Sequence, residues 1–447
     1  MIVGPAVRRA AFLLLVATAI SFLYFFGLTR TGLIGPDEPR YASIGRAMAT
    51  TGDWVTPRLW GVPWFEKPAL LYWMTAAGFK LGLGPDWAPR LPVALASVAF
   101  LIYFLLVLRR EFGDRAAWYA TAILATSAGW LAYSHIAITD LPMSSAFAAA
   151  MLTIFGRDTS KRDFIVAGLL LGLAVLAKGL VPLALFIPAL WFLRHRIRDL
   201  AILFVAAAVV AAPWYALVSA RNPGFVSDFI WKHHFGRFLN TALQHGQPFW
   251  FYLPVLLAGL FPWTPLVGLA ANGRLYRDTR LQFLLAWFAW GFLFFSASRN
   301  KLPGYLLPLL PPVAVLMGVG LERSARARYW LAACALLFCL SPPLVQALPQ
   351  ALANGVSRTS FHFTLAGILA GVALAAMCAL GPPERSIAAL ALFATLTVVW
   401  IVWRVYPTLD RQLSGRSAVS VTCLPQTNRS QRYSLEYYAG KSLADCK

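Results

Sequence analysis

The sequence predicts an all-α polytopic membrane protein, and three observations carry that prediction. Of 447 residues, 59% are hydrophobic and only 13% charged, with a mean hydropathy of +0.64; a soluble core cannot absorb so much apolar surface. Apolar runs long enough to enter or cross a bilayer recur along most of the chain. The short loops between them alternate between cation-rich and cation-poor. A net charge of +21 points to nucleic acid in a soluble protein. Here the cations are dispersed over short loops, which fits membrane topology and not a nucleic-acid-binding face, so no nucleic-acid partner is expected.

The first apolar run, in MIVGPAVRRAAFLLLVATAISFLYFFGL, has a basic start and is too long for the apolar region of a signal peptide. No small-x-small cleavage site precedes Pro36, so it reads as an uncleaved span. Further spans are predicted near 91–108, 116–133, 141–156, 164–177, 180–193, 200–218, 249–272, 281–297, 303–321, 329–347, 361–381 and 387–405, about thirteen in all. Several are short enough to need tilt or partial insertion, and Pro182, Pro213, Pro254 and Pro262 interrupt the pattern. The loops RREFGDR (109–115), GRDTSKRD (156–163), RHRIRD (194–199), NGRLYRDTR (272–280) and ERSARAR (322–328) each carry three Lys or Arg. With Arg8 and Arg9 they mark the cytoplasmic side. An odd number of spans then leaves the C-terminus outside. The expected organisation is a membrane domain over 1–405, with outer loops at 30–90 and 219–248, followed by a short outer tail at 406–447.

The first outer loop contains GPDEPRYASIGRAMATTGDWVTPRLWGVPWFEKPALLYWMTAAGFKLG. Its stretches at about 37–50 and 66–81 mix apolar residues with Arg and Trp, as interfacial helices do, and Pro39 suits a first helical turn. Taken alone, Asp37 reads as a helix cap, and Glu38 as a brace for Arg40 or a backbone amide. Trp54, Trp60, Trp64 and Tyr72 read as an interfacial aromatic belt. The second loop supplies His233, His234 and His245, half of the six histidines, plus Arg237. Ionisable residues are almost absent from the spans. Asp140, Lys178, Arg299 and Lys301 are exceptions at outer ends, where they face an aqueous or protein-lined cavity or, for the lysines, snorkel. Carboxylates, imidazoles and cations therefore converge at one face.

PDEPRYASIGRAM, GDWVTPRLWGVPWFEKPALLYW, AITDLP, AKG, HFGRF, QHGQPFWFYLP and NKLPGYLLPLLPP, in that order over about residues 10–320, resemble bacterial members of the GT-C glycosyltransferase superfamily. The nearest resemblance is to the aminoarabinose transferase family within the dolichyl-phosphate-mannose-type protein mannosyltransferase clan. It implies a GT-C fold and an inverting transfer of sugar from a polyprenyl-phosphate (undecaprenyl-phosphate) carrier to an envelope acceptor at the outer face of the bacterial inner membrane. The acceptor is lipid A in the aminoarabinose case. It also implies Asp37 and Asp140 as catalytic carboxylates, Lys67 and Arg237 on the carrier phosphate, Tyr305 lining the carrier site, and Glu66 with His234 holding a divalent metal such as zinc. His233 and His245 complete that metal site or cover the interface. No nucleotide or organic cofactor is expected, and a monomer is.

A phosphate leaving group calls for cations that stabilise departing charge, and Lys67, Lys178, Arg237 and Lys301 are the candidates. Asp37 acts as general base toward a hydroxyl acceptor and positions the reactants if the acceptor is already an anion. The family's sizeable outer domain has no counterpart in the roughly forty residues after Trp403, so a saccharide, a protein or another lipid stays open as acceptor. A transporter or flippase of lipid-linked sugars is the alternative function; it predicts repeated halves with broken helices, and no such repeat is visible. Cys334, Cys339 and Cys378 fall in spans as small apolar packers. Cys423 and Cys446 share the outer tail, where an oxidising compartment allows a disulfide.

Overall fold

A computed structural model describes residues 5–156, 158–229, 246–354, 362–416, 422–424 and 428–446. Among these the chain is helical almost throughout, and its one sheet is a two-stranded hairpin, β1 (Arg58–Leu59) with β2 (Val62–Pro63). The first apolar run forms helix α1 (Pro5–Tyr24), and the long first loop follows with α2 (Glu38–Thr51), the hairpin and α3 (Leu70–Lys80). Then come α4 (Trp87–Phe112), α5 (Asp114–Thr126), α6 (Ala128–Ser134), α7 (Asp140–Ile154), α8 (Lys161–Lys178), α9 (Val181–Leu185), α10 (Ile187–Phe192) and α11 (Ile197–Arg221).

Among the described residues, six helices are long and apolar enough to cross a membrane: α4, α11 and those at Thr279–Ala297, Pro303–Glu322, Ala327–Leu348 and Pro383–Arg404. A pair at Phe249–Gly259 and Thr264–Ala270, bent by 117°, makes a seventh if counted as one span. Leu14–Tyr24, Asp140–Ile154 and Leu365–Leu380 are apolar but shorter. Two of the apolar runs read from the sequence contain a helix break that the run itself does not reveal. The 116–133 run divides at Ser127 into α5 and α6, and the 180–193 run divides at Phe186 into α9 and α10.

Packing sorts the helices into layers. The Pro303–Glu322 span is 94% buried, whereas α11 is 28% buried and exposes Val205 and Val209. The former is central, and the latter turns an apolar face outward to lipid. Helices α8 and α11 approach closely at Gly168 and Gly172. A Cβ there would lie 2.2 Å from the Leu203 carbonyl oxygen and 2.7 Å from that of Ala207. This small-xxx-small spacing allows the backbone contact that association in lipid depends on.

The two ends of the bundle differ chemically. At one end the basic loops meet: Arg280 pairs with Glu111 at 3.2 Å, Arg110 donates to the Asp158 carbonyl, Arg196 donates to the Thr159 carbonyl, and Arg115 pairs with Glu384 at 3.1 Å. Helix α4 starts beside the long first loop and carries Arg109 and Arg110 in its last turn. Its 26 residues at a rise of about 1.5 Å separate the ends by roughly 39 Å, enough for a hydrocarbon core of about 30 Å. Helix α11 runs back, from Arg196 and Asp199 at the basic end to Arg221 beside Asp53 of the first loop. Of the ionisable residues singled out in the sequence, the described acids Asp37, Glu66 and Asp140 and the lysines paired with them lie at the other end.

Candidate active site

Helix α2 begins with two acids that point to different environments. Asp37 occupies the N-cap position but makes no capping hydrogen bond. Its carboxylate instead takes Arg40 Nη2 at 2.5 Å, and 41% of the side chain is exposed. Glu38 is 1% exposed and accepts both arms of Arg90, at 2.7 and 2.8 Å. It also accepts the backbone N–H groups of Ala137 (2.8 Å) and Ile34 (3.3 Å). Arg90 donates further to the carbonyls of Leu28, Thr31 and Gly32. Glu38 thus pins the start of α2 to α4 and to the 135–139 turn. Of its two expected partners, the backbone amide holds and the Arg40 pairing does not: Arg40 turns to Asp37, because one helical turn separates them, while Glu38 faces the buried start of α4.

Arg40, 1% exposed, bridges two carboxylates through Nη2, reaching Asp37 and, at 2.7 Å, Glu66. Burial alone pulls its guanidinium down, but Tyr41, Glu66 and Asp37 together outweigh that and hold it above the ordinary arginine value. Its faces lie against aromatic rings, with centroids at 5.3 Å for Tyr41, 5.6 Å for Trp64 and 5.3 Å for Tyr433. Glu66 reaches Arg40 because the hairpin turns the chain back: Trp60 takes φ 51° at its tip, and the Trp64 N–H donates to the Pro57 carbonyl. Lys67 Nζ sits 3.8 Å from Glu66 Oε1 and is largely buried. Tyr72 is fully buried with its ring 5.9 Å from Tyr41, and the indole nitrogens of Trp60 and Trp64 are buried too. The Trp64 ring lies over Arg40 and the Tyr72 ring packs on Tyr41, so both border the site.

A second centre is built where α7 starts and α8 ends, two antiparallel helices that bring both termini to one end of the bundle. Lys178 Nζ donates to Asp140 Oδ1 at 2.6 Å and lies 4.5 Å from the centre of the Tyr305 ring. Asp140 opens α7 without capping it. Gly304 makes room: a Cβ there would fall 2.6 Å from both Asp140 Oδ1 and Tyr133 Cε1. The Tyr133 hydroxyl borders the same space, 2.9 Å from where that Cβ would stand. Lys301, buried in the turn before Pro303, donates to the carbonyls of Ser298 and Gln247, and burial pushes its ammonium below the ordinary lysine value. Neither Lys178 nor Lys301 snorkels. Arg299 is exposed.

His233, His234, Arg237 and His245 lie outside the described residues. Among the described residues no group of three or more His, Cys, Asp or Glu is arranged to hold a metal. Glu66 Oε2 is engaged by Arg40, so the described donors by themselves do not fit the three or four ligands that zinc takes. Arg40, Arg90, Tyr133 and Tyr433 were not singled out in the sequence as site residues. An arginine one turn after an acid, and another at the start of an apolar span, are the signals that were available. Tyr433 had none.

The tail packs against this end. Cys423 and Cys446 are joined by a disulfide. In the tail helix Arg429–Ala439, Ser434 donates to the Leu33 carbonyl, Tyr437 to the Pro85 carbonyl and Tyr438 to Asp86.

Residues 66–218 match the dolichyl-phosphate-mannose-protein mannosyltransferase family. An undecaprenyl phosphate-alpha-4-amino-4-deoxy-L-arabinose arabinosyl transferase of Aeromonas salmonicida is 32% identical over 438 residues, covering 90% of this chain and 78% of the relative. The chain belongs to that arabinosyltransferase family. The crystal structure of ArnT from Cupriavidus metallidurans bound to undecaprenyl phosphate is similar over 97% of this chain and 85% of its own, with a TM-score of 0.80 and 28% identity. An archaeal oligosaccharyltransferase from Archaeoglobus fulgidus shares the fold alone, at a TM-score of 0.53 and 14% identity. The chain spans 55% of the length of the arabinosyltransferase of Pseudomonas fluorescens, to which it is 35% identical over 326 residues, and 61% of that of Pseudomonas aeruginosa. It is a GT-C-type, multi-pass helical protein of the bacterial inner membrane, as this arabinosyltransferase family is.

Proposed function

We propose that this chain is an inverting glycosyltransferase that moves a sugar, 4-amino-4-deoxy-L-arabinose in the first instance, from undecaprenyl phosphate to an envelope acceptor such as lipid A. The observation that carries the proposal is the pairing of a partly exposed acid, Asp37, with a buried cation, Arg40, beside a second acid–lysine centre at the same end of the bundle. The family supports the donor class. About thirteen crossings, a cytoplasmic N-terminus and an outer site and C-terminus complete the proposed topology.

The acceptor oxygen attacks the anomeric carbon while the bond to the carrier phosphate breaks, and the electron pair leaves with undecaprenyl phosphate. Attack from the opposite face inverts the anomeric centre. Lys67, Lys178, Arg237 and Lys301 are the cations that stabilise the departing phosphate. Asp37, held by Arg40, removes the proton from a hydroxyl acceptor or, for a phosphate acceptor, orients it against the sugar. Asp140 fixes Lys178, and the Tyr305 ring lies over that ammonium. Glu66 and His234 would hold a divalent metal, with His233 and His245 available to complete its ligands.

Mass spectrometry of envelope lipids from cells with and without the gene tests this. The gene should add one aminopentose to a lipid, and Asp37→Asn should remove that addition while protein level holds. Unchanged modification in the Asp37→Asn cells overturns the assignment.

A further inference from the structure

The cation that organises Asp37 and Glu66 is held in part by the far end of the chain. Arg40 uses Nη2 for both carboxylates, while its Nε and Nη1 are buried and make no hydrogen bond. A guanidinium bonded through one nitrogen is free to pivot about it, so its orientation depends on what covers its faces. Two of the three covering rings, Tyr41 and Trp64, belong to the first outer loop, and the third is Tyr433 of the tail helix. That helix is fastened beside α2: Arg46 donates to the Tyr437 carbonyl at 2.9 Å and lies over its ring at 4.2 Å. Tyr438 accepts the Leu33 N–H at 2.9 Å, and Ser434 donates to the Leu33 carbonyl at 2.7 Å. Leu33 lies just before the Asp37–Glu38 pair, so the tail grips both sides of the acid pair.

We propose that Tyr433 is a positioning residue of the transfer site: its ring holds the Arg40 guanidinium in the plane that presents Asp37 to the substrates. The tail helix is thereby part of the working site. The proposal rests on the transferase reading for its effect on turnover, and on geometry alone for the cover over Arg40.

The test compares wild-type, Tyr433→Phe, Tyr433→Leu and Tyr433→Ala full-length protein in detergent, with two readouts. The first is transfer from undecaprenyl-phosphate-aminoarabinose to lipid A. The second is phenylglyoxal labelling of Arg40, read by peptide mass spectrometry. A cation–π contact in a desolvated site corresponds to about a tenfold effect. Leu and Ala should therefore lower kcat about tenfold with the donor KM within about twofold, and raise Arg40 labelling, while Phe keeps both near wild type. Leu preserves apolar volume without a π face, so wild-type turnover in Leu reduces Tyr433 to packing and overturns the proposal, as does equal labelling of Arg40 in all four proteins. If the wild type itself transfers nothing, the transferase reading fails, and the labelling still decides whether Tyr433 shields Arg40.

Discussion

Adjacent acids in one motif should give opposite phenotypes. Glu38 is buried, accepts four hydrogen bonds and neutralises Arg90, itself buried among three backbone carbonyls. Glu38→Ala leaves that arginine as an uncompensated buried charge, which costs about 3–5 kcal/mol, and it strands the Ala137 amide. Asp37 is 41% exposed and makes one ion pair, worth no more than about 1 kcal/mol to stability. Asp37→Asn should therefore fold like the wild type and lose transfer, and Glu38→Ala should lose the fold. Reversible unfolding by SDS titration in mixed micelles, with transfer assayed in parallel, reads both effects. Arg90→Met in the Glu38→Ala background removes the stranded charge and should recover part of the lost stability. Equal destabilisation by the two single substitutions, or no recovery in the double variant, refutes the division of labour.

Other substitutions and conditions probe the remaining parts. Lys178→Met should reduce kcat by two orders of magnitude or more, and Asp140→Asn less, because it leaves the ammonium present but misplaced; steady-state kinetics separates the two. Burial lowers the folded-state pKa of Lys301 below the unfolded value, so between the two values the unfolded chain binds more protons. Stability should then rise with pH on approaching the ordinary lysine range near 10.4, and Lys301→Met should flatten that slope in a pH series of unfolding curves. Cys423→Ser with Cys446→Ser opens a crosslink between residues 23 apart in sequence, worth about 3 kcal/mol in the chain-entropy model. Hydrogen exchange should quicken in the Arg429–Ala439 helix and stay unchanged in the Pro303–Glu322 span.

The membrane class, the segregation of basic loops from the acids at 37, 66 and 140, and the family were legible because they depend on composition and short motifs. The helices predicted at 37–50 and 66–81 emerge as Glu38–Thr51 and Leu70–Lys80, since Pro39 and the flanking Gly52 punctuate the sequence locally. The pairing inside the acid pair was not legible. Whether Asp37 or Glu38 takes Arg40 depends on where Arg90 arrives from α4, a contact between residues 52 apart in sequence. The places of Trp64 over Arg40 and of Tyr72 on Tyr41 were hidden for a similar reason, because they depend on the chain after Asp53 folding back onto α2. Tyr433 carried no signal, because only the docking of the tail brings it to Arg40.

The central claim is that one site cleaves the sugar–phosphate bond of a polyprenyl carrier. Reconstituting the purified protein in liposomes with undecaprenyl-phosphate-aminoarabinose and lipid A, then measuring released undecaprenyl phosphate and product configuration together, tests it most directly. One undecaprenyl phosphate should appear per sugar transferred, with the anomeric centre inverted and both products absent in Asp37→Asn. Movement of intact carrier-linked sugar across the bilayer without cleavage, or transfer with retained configuration, contradicts it.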